Sequence, residues 1–228
     1  MIEDPPLLKI RRGFARPEAQ VLAAFAGVPT GNVVDAMDGS GALAKAIKPL
    51  EAPFGPIVGT ALTCRNRAGD NLGLFATLDV ARPGDIVIAA ADGFTDRAIT
   101  GDMLCGMLRN VGVAALVTDA SARDVAGILA TGLPVYCDGI SPNSPVRNGP
   151  GSVGYPVTIG GVNVASGDVV VADADGVVIV PREQASEVAA RLREVLKAEA
   201  ALQARVDAGL TIPDFIRPIL ASDRVVEE

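Results

Sequence analysis

Apolar residues along the chain fall into two registers. Compact runs rich in Val, Ile and Ala at 57–64, 85–90, 113–118 and 134–137 predict buried strands. The stretches between them carry apolar positions at helical spacing, with Leu104, Met107, Leu108 and Val111 marking a helix from about 102 to 110. Gly69, Asp70 and Asn71 read as a cap leading into a helix over Leu72–Val80, and another helix is expected from about 122 to 130. Strand, cap and helix repeat in an α/β rhythm. Upstream, Pro17 to Gly27 is punctuated as a short helix with Pro at its first position, and a second starts near Thr30 with Val33, Val34 and Met37.

After residue 140 the pattern changes. Ser141–Pro156 is rich in Pro, Gly, Ser and Asn and predicts a long loop or extended arm, of a length more often functional than idle. Short strands follow at 157–159, 162–164, 168–172 and 176–180, spaced closely enough to be antiparallel. A long helix is expected from about 182 to 208, stopped by Gly209, with a short one after Pro213. Gly84–Gly93 and Gly167–Gly176 share a Gly-Asp turn, a buried strand and an Asp-Gly turn, which reads as two similar units of one sheet system.

Composition narrows the chemistry. The 228 residues include no histidine, so no mechanism here rests on an imidazole base or ligand. With 49% apolar and 21% charged residues the chain is an ordinary globular one, long enough for one large domain or two small ones. The net charge of −7 and the scattered arginines argue against non-specific nucleic-acid binding, and 4% aromatics supply few stacking platforms. Cys64, Cys105 and Cys137 are widely spaced, which points to a reducing compartment without structural zinc. No stretch approaches a membrane span, so the default is a soluble cytoplasmic protein.

Three places carry residues unusual for structure alone. Gly101-Asp102-Met103-Leu104 opens a helix whose free amides suit a carboxylate or phosphate, although Asp102 also reads as a plain helix cap. Thr118 to Asp124 follows an all-apolar strand, where ligands collect in α/β sheets; Arg123 beside Asp124 offers a fork for a carboxylate and a hard oxygen for a cation, or else a surface ion pair. Glu199 falls on the stripe of Val188, Leu192, Val195, Leu202 and Val206, so it either turns to solvent at the stripe's edge or enters a polar site at an interface.

Together GDN at 69–71, RPGDIVI at 82–88, GDML at 101–104, the run 119–124 and the segment 160–181 resemble the 4-hydroxy-4-methyl-2-oxoglutarate / 4-carboxy-4-hydroxy-2-oxoadipate aldolases, which are homologous to the regulator of ribonuclease activity A. The likeness spans about residues 28–210 and is carried by the combination of motifs. It implies a swivelling β/β/α-type sandwich, one domain over 1–228 with its core at about 17–210, and a long C-terminal helix packing at a subunit interface of a homotrimer or homohexamer. It also implies metal-dependent class II aldol cleavage releasing pyruvate, with oxaloacetate decarboxylation alongside. By matching position Arg123 would clamp the pyruvate carboxylate and hold the keto oxygen, and Asp124 would hold Mg²⁺ or Mn²⁺ largely through waters. The amides of Gly101, Asp102, Met103 and Leu104 would take the carboxylate, and Asp102 would order the metal waters. Glu199 of the adjacent subunit would complete the site, and Asn71 would touch the distal part of the substrate. Ala120 replaces the glycine usual before the Arg-Asp pair, which matters only if that backbone needs a positive φ.

General chemistry agrees with these implied roles. Breaking a carbon–carbon bond beta to a ketone needs an electron sink, and the four lysines (Lys9, Lys45, Lys48, Lys197) all lie outside the GDML and Arg-Asp segments, which disfavours a Schiff base. Oxygen ligands alone suit Mg²⁺ or Mn²⁺. The main rival is a non-catalytic regulator that binds a ribonuclease or RNA helicase; a methyltransferase is unsupported, since no glycine-rich nucleotide loop follows an early strand.

Overall fold

The computed structural model describes residues 6–52 and 55–226. Strand β1 (Leu8–Ile10), helices α1 (Ala19–Ala23) and α2 (Thr30–Ala36) and the two-residue strand β2 (Lys48–Pro49) lead to the longest strand, β3 (Ile57–Arg65). Helix α1 is shorter than its punctuation suggests, because Glu18 is its N-cap and Pro17 stays outside. The alternation then runs α3 (Leu72–Ala76), β4 (Asp85–Ala90), β5 (Ala98–Thr100), α4 (Asp102–Val111), β6 (Ala115–Thr118), β7 (Ser121–Ala122), α5 (Val125–Thr131), β8 (Val135–Cys137) and β9 (Gly139–Ile140). Gly112 and Gly132 stop α4 and α5 at φ +90 and +70, a left-handed cap that side chains resist.

Strands β3, β4, β6 and β8 are parallel neighbours. Their runs are apolar throughout because both faces are covered. Leu62, Cys64, Val87, Ala89, Leu116 and Val135 face one core, closed by Leu104 and Leu108 of α4 and Ile128 of α5. Ala61, Ile86, Ile88, Val117 and Tyr136 face a second. Burying each of the larger side chains contributes about 1.5–3 kcal/mol.

The remaining elements build another β layer. Strands β10 (Gly151–Val153), β11 (Val157–Ile159), β12 (Val162–Val164), β13 (Val169–Asp173) and β14 (Gly176–Val180) precede the 3₁₀ turn Arg182–Gln184, the long α6 (Ala185–Asp207) and α7 (Arg217–Leu220). The β11–β12 and β13–β14 pairs are antiparallel, and β13 also pairs antiparallel with β3. Val170, Ala172, Val177 and Ile179 complete the second core. Val169, Val171, Val178 and Val180 face a third, closed by Phe25 in the turn after α1, Val33 of α2, and Val188 and Leu192 of α6. Helices, sheet, second β layer and helices form the expected mixed α/β sandwich. The two Gly-Asp units flank β3, β4 parallel to it and β13 antiparallel.

Three expectations change in detail. The 141–156 arm contains β10, which pairs with β1 and β3. Met107, assigned to the apolar face of α4, is 43% exposed. The stripe on α6 leaves the core at Val195: Val188 and Leu192 are buried, whereas Leu202 and Val206 are 41% and 48% exposed. Among the described residues no helix is long and apolar enough to cross a membrane.

Candidate active site

A second, small parallel sheet of β5, β7 and β9 lies along the chain just beyond the ends of β4, β6 and β8. The residues leaving its strands are Gly101 after β5, Arg123 after β7 and the 141–149 arm after β9. Carboxyl ends of parallel strands are where ligands gather. The platform is tied by Arg123 N donating to Thr100 O (3.1 Å), Ser141 N to Ala122 O (3.0 Å) and Ser121 Oγ to Thr95 O (2.6 Å). Asp119 latches it to the main sheet by accepting from Ala91 N (2.7 Å) and Gly93 N (2.9 Å). Burial pushes the Asp119 carboxyl above the usual carboxylate range, although both amides oppose the shift.

Asn71, Gly101, Asp102, Met103, Leu104, Arg123 and Asp124 line one cleft of about 80 Å³. Gly101 makes their approach possible: a Cβ there would sit 2.7 Å from Asp124 Oδ2 and 3.4 Å from Arg123 Cγ. Gly127 does the same for Asp102, whose Cβ would lie 2.7 Å from an added methyl. Asp124 occupies the left-handed region (φ +58, ψ +43) at the N-cap of α5, a conformation costing on the order of 1 kcal/mol without glycine. Ala120 is not among the positive-φ residues, so the missing glycine carries no backbone cost.

Arg123 is half-buried, its Nη1 donating to Ser144 Oγ (2.6 Å) and its Nε lying 3.3 Å from Asp124 Oδ2. The N-cap of α4 is Gly101, not Asp102, so the capping reading of Asp102 is corrected: its Oδ1 accepts from Met103 N (2.7 Å), occupying one of the amides expected to hold a ligand. Asn71 is 3% exposed; its Nδ2 donates to Ile99 O (3.0 Å), which fixes Oδ1 as the other amide atom, and Oδ1 has no partner among the described residues. Beneath the cleft burial pushes the Cys105 thiol up to about 11, so no thiolate nucleophile forms there at neutral pH.

Among the described residues no three His, Cys, Asp or Glu side chains group tightly enough to hold a metal ion. Asp102 and Asp124 nevertheless give the cleft two hard oxygen donors. That set fits a cation that keeps much of its shell as water, as Mg²⁺ does, and does not fit Zn²⁺.

Glu199 stands apart from this group within the chain. It is exposed on α6, and its Oε2 accepts from Asn32 Nδ2 of α2, in the helical layer beyond the second sheet. Phe75, Thr100, Pro145 and Arg147 also line the cleft and escape the motif reading. One sequence signal existed for Arg147, the single charged residue between Ser141 and Pro156.

Residues 30–179 match the RraA-like family, described as Aldolase/RraA. A Halalkalibacterium halodurans protein named "Putative 4-hydroxy-4-methyl-2-oxoglutarate aldolase" is 35% identical over 191 residues, 84% of this chain and 89% of its own. Streptomyces coelicolor RraAS2, described as an unusual member of the RNase ES inhibitor RraA protein family, is 26% identical and superposes with a TM-score of 0.75 over 83% of this chain and 100% of its own. An uncharacterized protein of Pseudomonas syringae, 24% identical, shares the fold with a TM-score of 0.75 over 87% of this chain and 97% of its own.

Proposed function

Because the chain belongs to the Aldolase/RraA family, we propose that it is a divalent-cation-dependent aldolase that cleaves 4-hydroxy-2-oxo di- and tricarboxylic acids to pyruvate and a second keto acid, and decarboxylates oxaloacetate as a side reaction. The observation that carries this reading is the convergence of Arg123, Asp124, Asp102 and the first amides of α4 on one cleft, with Gly101 leaving room for them.

When bound, the cation, held by Asp124 with Asp102 nearby, supplies positive charge at the 2-oxo group. The Arg123 fork holds the substrate carboxylate and keto oxygen in one plane, and the amides at 101–104 receive the carboxylate from the other side, with Met103 N exchanging its Asp102 partner for the ligand. Asp102 draws off the proton of the 4-hydroxyl as the C3–C4 bond breaks. The electron pair passes to the oxygen held by Arg123, and the second keto acid leaves. Asp102 then returns that proton to C3, which gives pyruvate and restores the carboxylate. Asn71 Oδ1 faces a donor on the distal part of the substrate. Glu199 of a neighbouring copy in a trimer or hexamer completes the site; Met103 and Ile140, 74% and 56% exposed, and Leu202 and Val206 on the outer half of α6 are apolar side chains that such packing would cover.

Pyruvate release is expected to fall at least about tenfold in excess chelator and to return with added Mg²⁺ or Mn²⁺, as for a site with few protein ligands. Undiminished turnover in chelator would sink the class II mechanism, and borohydride trapping of pyruvate on a lysine would replace it with a Schiff base. Gly101→Ala should lower kcat/KM about tenfold or more, since the added methyl displaces the Asp124 carboxylate. Its melting temperature should stay within a few degrees, about 1 kcal/mol, because the backbone is extended there and the clash is with a side-chain end.

The likeness to RraAS2 favours one other reading, a non-catalytic protein that binds a ribonuclease or RNA helicase. The cleft side chains have no part in it. Absence of pyruvate release from every 2-oxo acid tested, with binding to such a partner unaffected by Asp124→Asn, would decide for it.

A further inference from the structure

We propose that a basic pocket at the carboxyl ends of β3 and β4 is a binding site for a nucleoside di- or triphosphate. It goes beyond the aldolase reading and does not depend on it. The pocket measures about 480 Å³, against about 80 Å³ for the cleft, and the two share no lining residue. Sheet register builds it. Lys9 of β1 lies opposite Ser152 of β10, which lies opposite Arg65 of β3, so the three side chains stand in one row on one face of strands spaced about 4.8 Å apart. Their neighbours Ile10, Val153 and Cys64 turn to the other face, into the first core. Thr63, two residues before Arg65 on the row's own face, is fully buried, its Oγ1 donating to Tyr155 O (2.7 Å) and meeting Ser166 Oγ (2.7 Å). That cover stops at Arg65, where Tyr155 and Pro156 become a wall of the pocket.

The fold thus gathers cations that are scattered along the sequence. Arg67, just past β3, joins Lys9 and Arg65 in the lining, and Arg11 stacks over the Tyr155 ring, 4.3 Å from its centroid. The lining holds one carboxylate, Asp92, in a chain whose net charge is −7. Arg65 meets Asp92 at 3.2 Å with both side chains more than half exposed, a contact too weak to occupy the guanidinium. Positive charge this concentrated suits a ligand with several negative charges close together, and free phosphate would leave most of the volume empty. The remaining wall suits a base. Asn66 is 1% exposed, and its Oδ1 accepts from Leu74 N (2.8 Å), which fixes Nδ2 as the donor. Nδ2 has only long contacts, 3.5 Å to Ala90 O and 3.8 Å to Cys64 Sγ. That amide offers a donor to a base edge and the Tyr155 ring a surface to stack on, while the forks of Arg65 and Arg67 take the phosphates.

Calorimetric titration of the full chain at about 0.15 M salt, with ATP, ADP, AMP and inorganic tripolyphosphate as probes, tests the assignment. One ATP should bind per chain, with ADP within about tenfold of it. AMP and tripolyphosphate should each bind at least about tenfold more weakly, the first for want of charge and the second for want of a base. Arg65→Ala should weaken ATP about tenfold or more and leave the melting temperature within a few degrees, since the side chain is exposed. Tyr155→Leu should weaken ATP about tenfold and spare tripolyphosphate. Arg123→Ala, in the cleft, should leave ATP binding unchanged. Absence of saturable ATP binding overturns the proposal. Tripolyphosphate binding as tightly as ATP overturns the nucleotide assignment, and ATP binding that survives Arg65→Ala but is lost in Arg123→Ala overturns the location.

Discussion

Arg123→Lys is expected to lower kcat/KM for pyruvate release by about a hundredfold or more, on the order of 2.7 kcal/mol of transition-state stabilisation, while the protein stays folded. The guanidinium has three tasks that one ammonium cannot share. Nη1 donates to Ser144 and so reaches the arm, Nε lies beside Asp124, and Nη2 has no hydrogen-bond partner among the described residues and is left for a ligand. A lysine is a single point of charge. It can satisfy Asp124 or a substrate carboxylate but cannot hold a carboxylate and a keto oxygen in one plane. Stability should hardly change, because a pair 36% and 46% exposed contributes at most about 1 kcal/mol. Asp124→Asn keeps the volume and removes the charge, so it should abolish the cation dependence together with the turnover. Kinetics with circular dichroism and melting curves check both variants. If both fold and keep near-normal rates, the reacting centre is elsewhere.

Much of this arrangement is legible in the residues. Strand β4 is buried at all six positions, and a run of that kind has no other stable home in a chain of this length. The Arg-Asp pair is found because it directly follows such a strand, a position that physics assigns to ligands whatever the protein. What escapes is set by long-range geometry. The strands β7 and β9 are two residues each and exist only because β6 and β8 point them at one another, so no periodicity announces them. β1 pairs with β10 across more than a hundred residues, and the composition of the arm conceals the strand. The left-handed turn at Asp124 is likewise invisible, since aspartate tolerates it without requiring it. Glu199 shows a different limit: the stripe identifies the helix face correctly, yet periodicity cannot say that the face leaves the core at Val195.

Glu199→Gln is expected to cut turnover by about a hundredfold or more without disturbing the oligomer, the usual size of an acid–base contribution. Within one chain the residue is exposed and accepts a bond from Asn32 in a layer away from the cleft, so a purely structural role is the competing account. The two accounts separate cleanly. Glutamine keeps an oxygen for Asn32, so a structural Glu199 predicts near-normal activity for Glu199→Gln and lowered stability for Glu199→Leu, which breaks the bond. A Glu199 that works in a neighbour's cleft predicts loss of activity in both variants, with melting of Glu199→Gln unchanged. Complementation then tests the shared site directly. Arg123→Ala and Glu199→Gln are each inactive, but in a randomised mixture about one quarter of the interfaces would pair an intact Arg123 with an intact Glu199, and activity should rise toward that fraction. Light scattering must show an oligomer and subunit exchange must be demonstrated with tagged chains. With exchange proven, failure to recover activity would place the whole site within one chain, and a monomeric protein would leave Glu199 as no more than the clamp between α6 and α2.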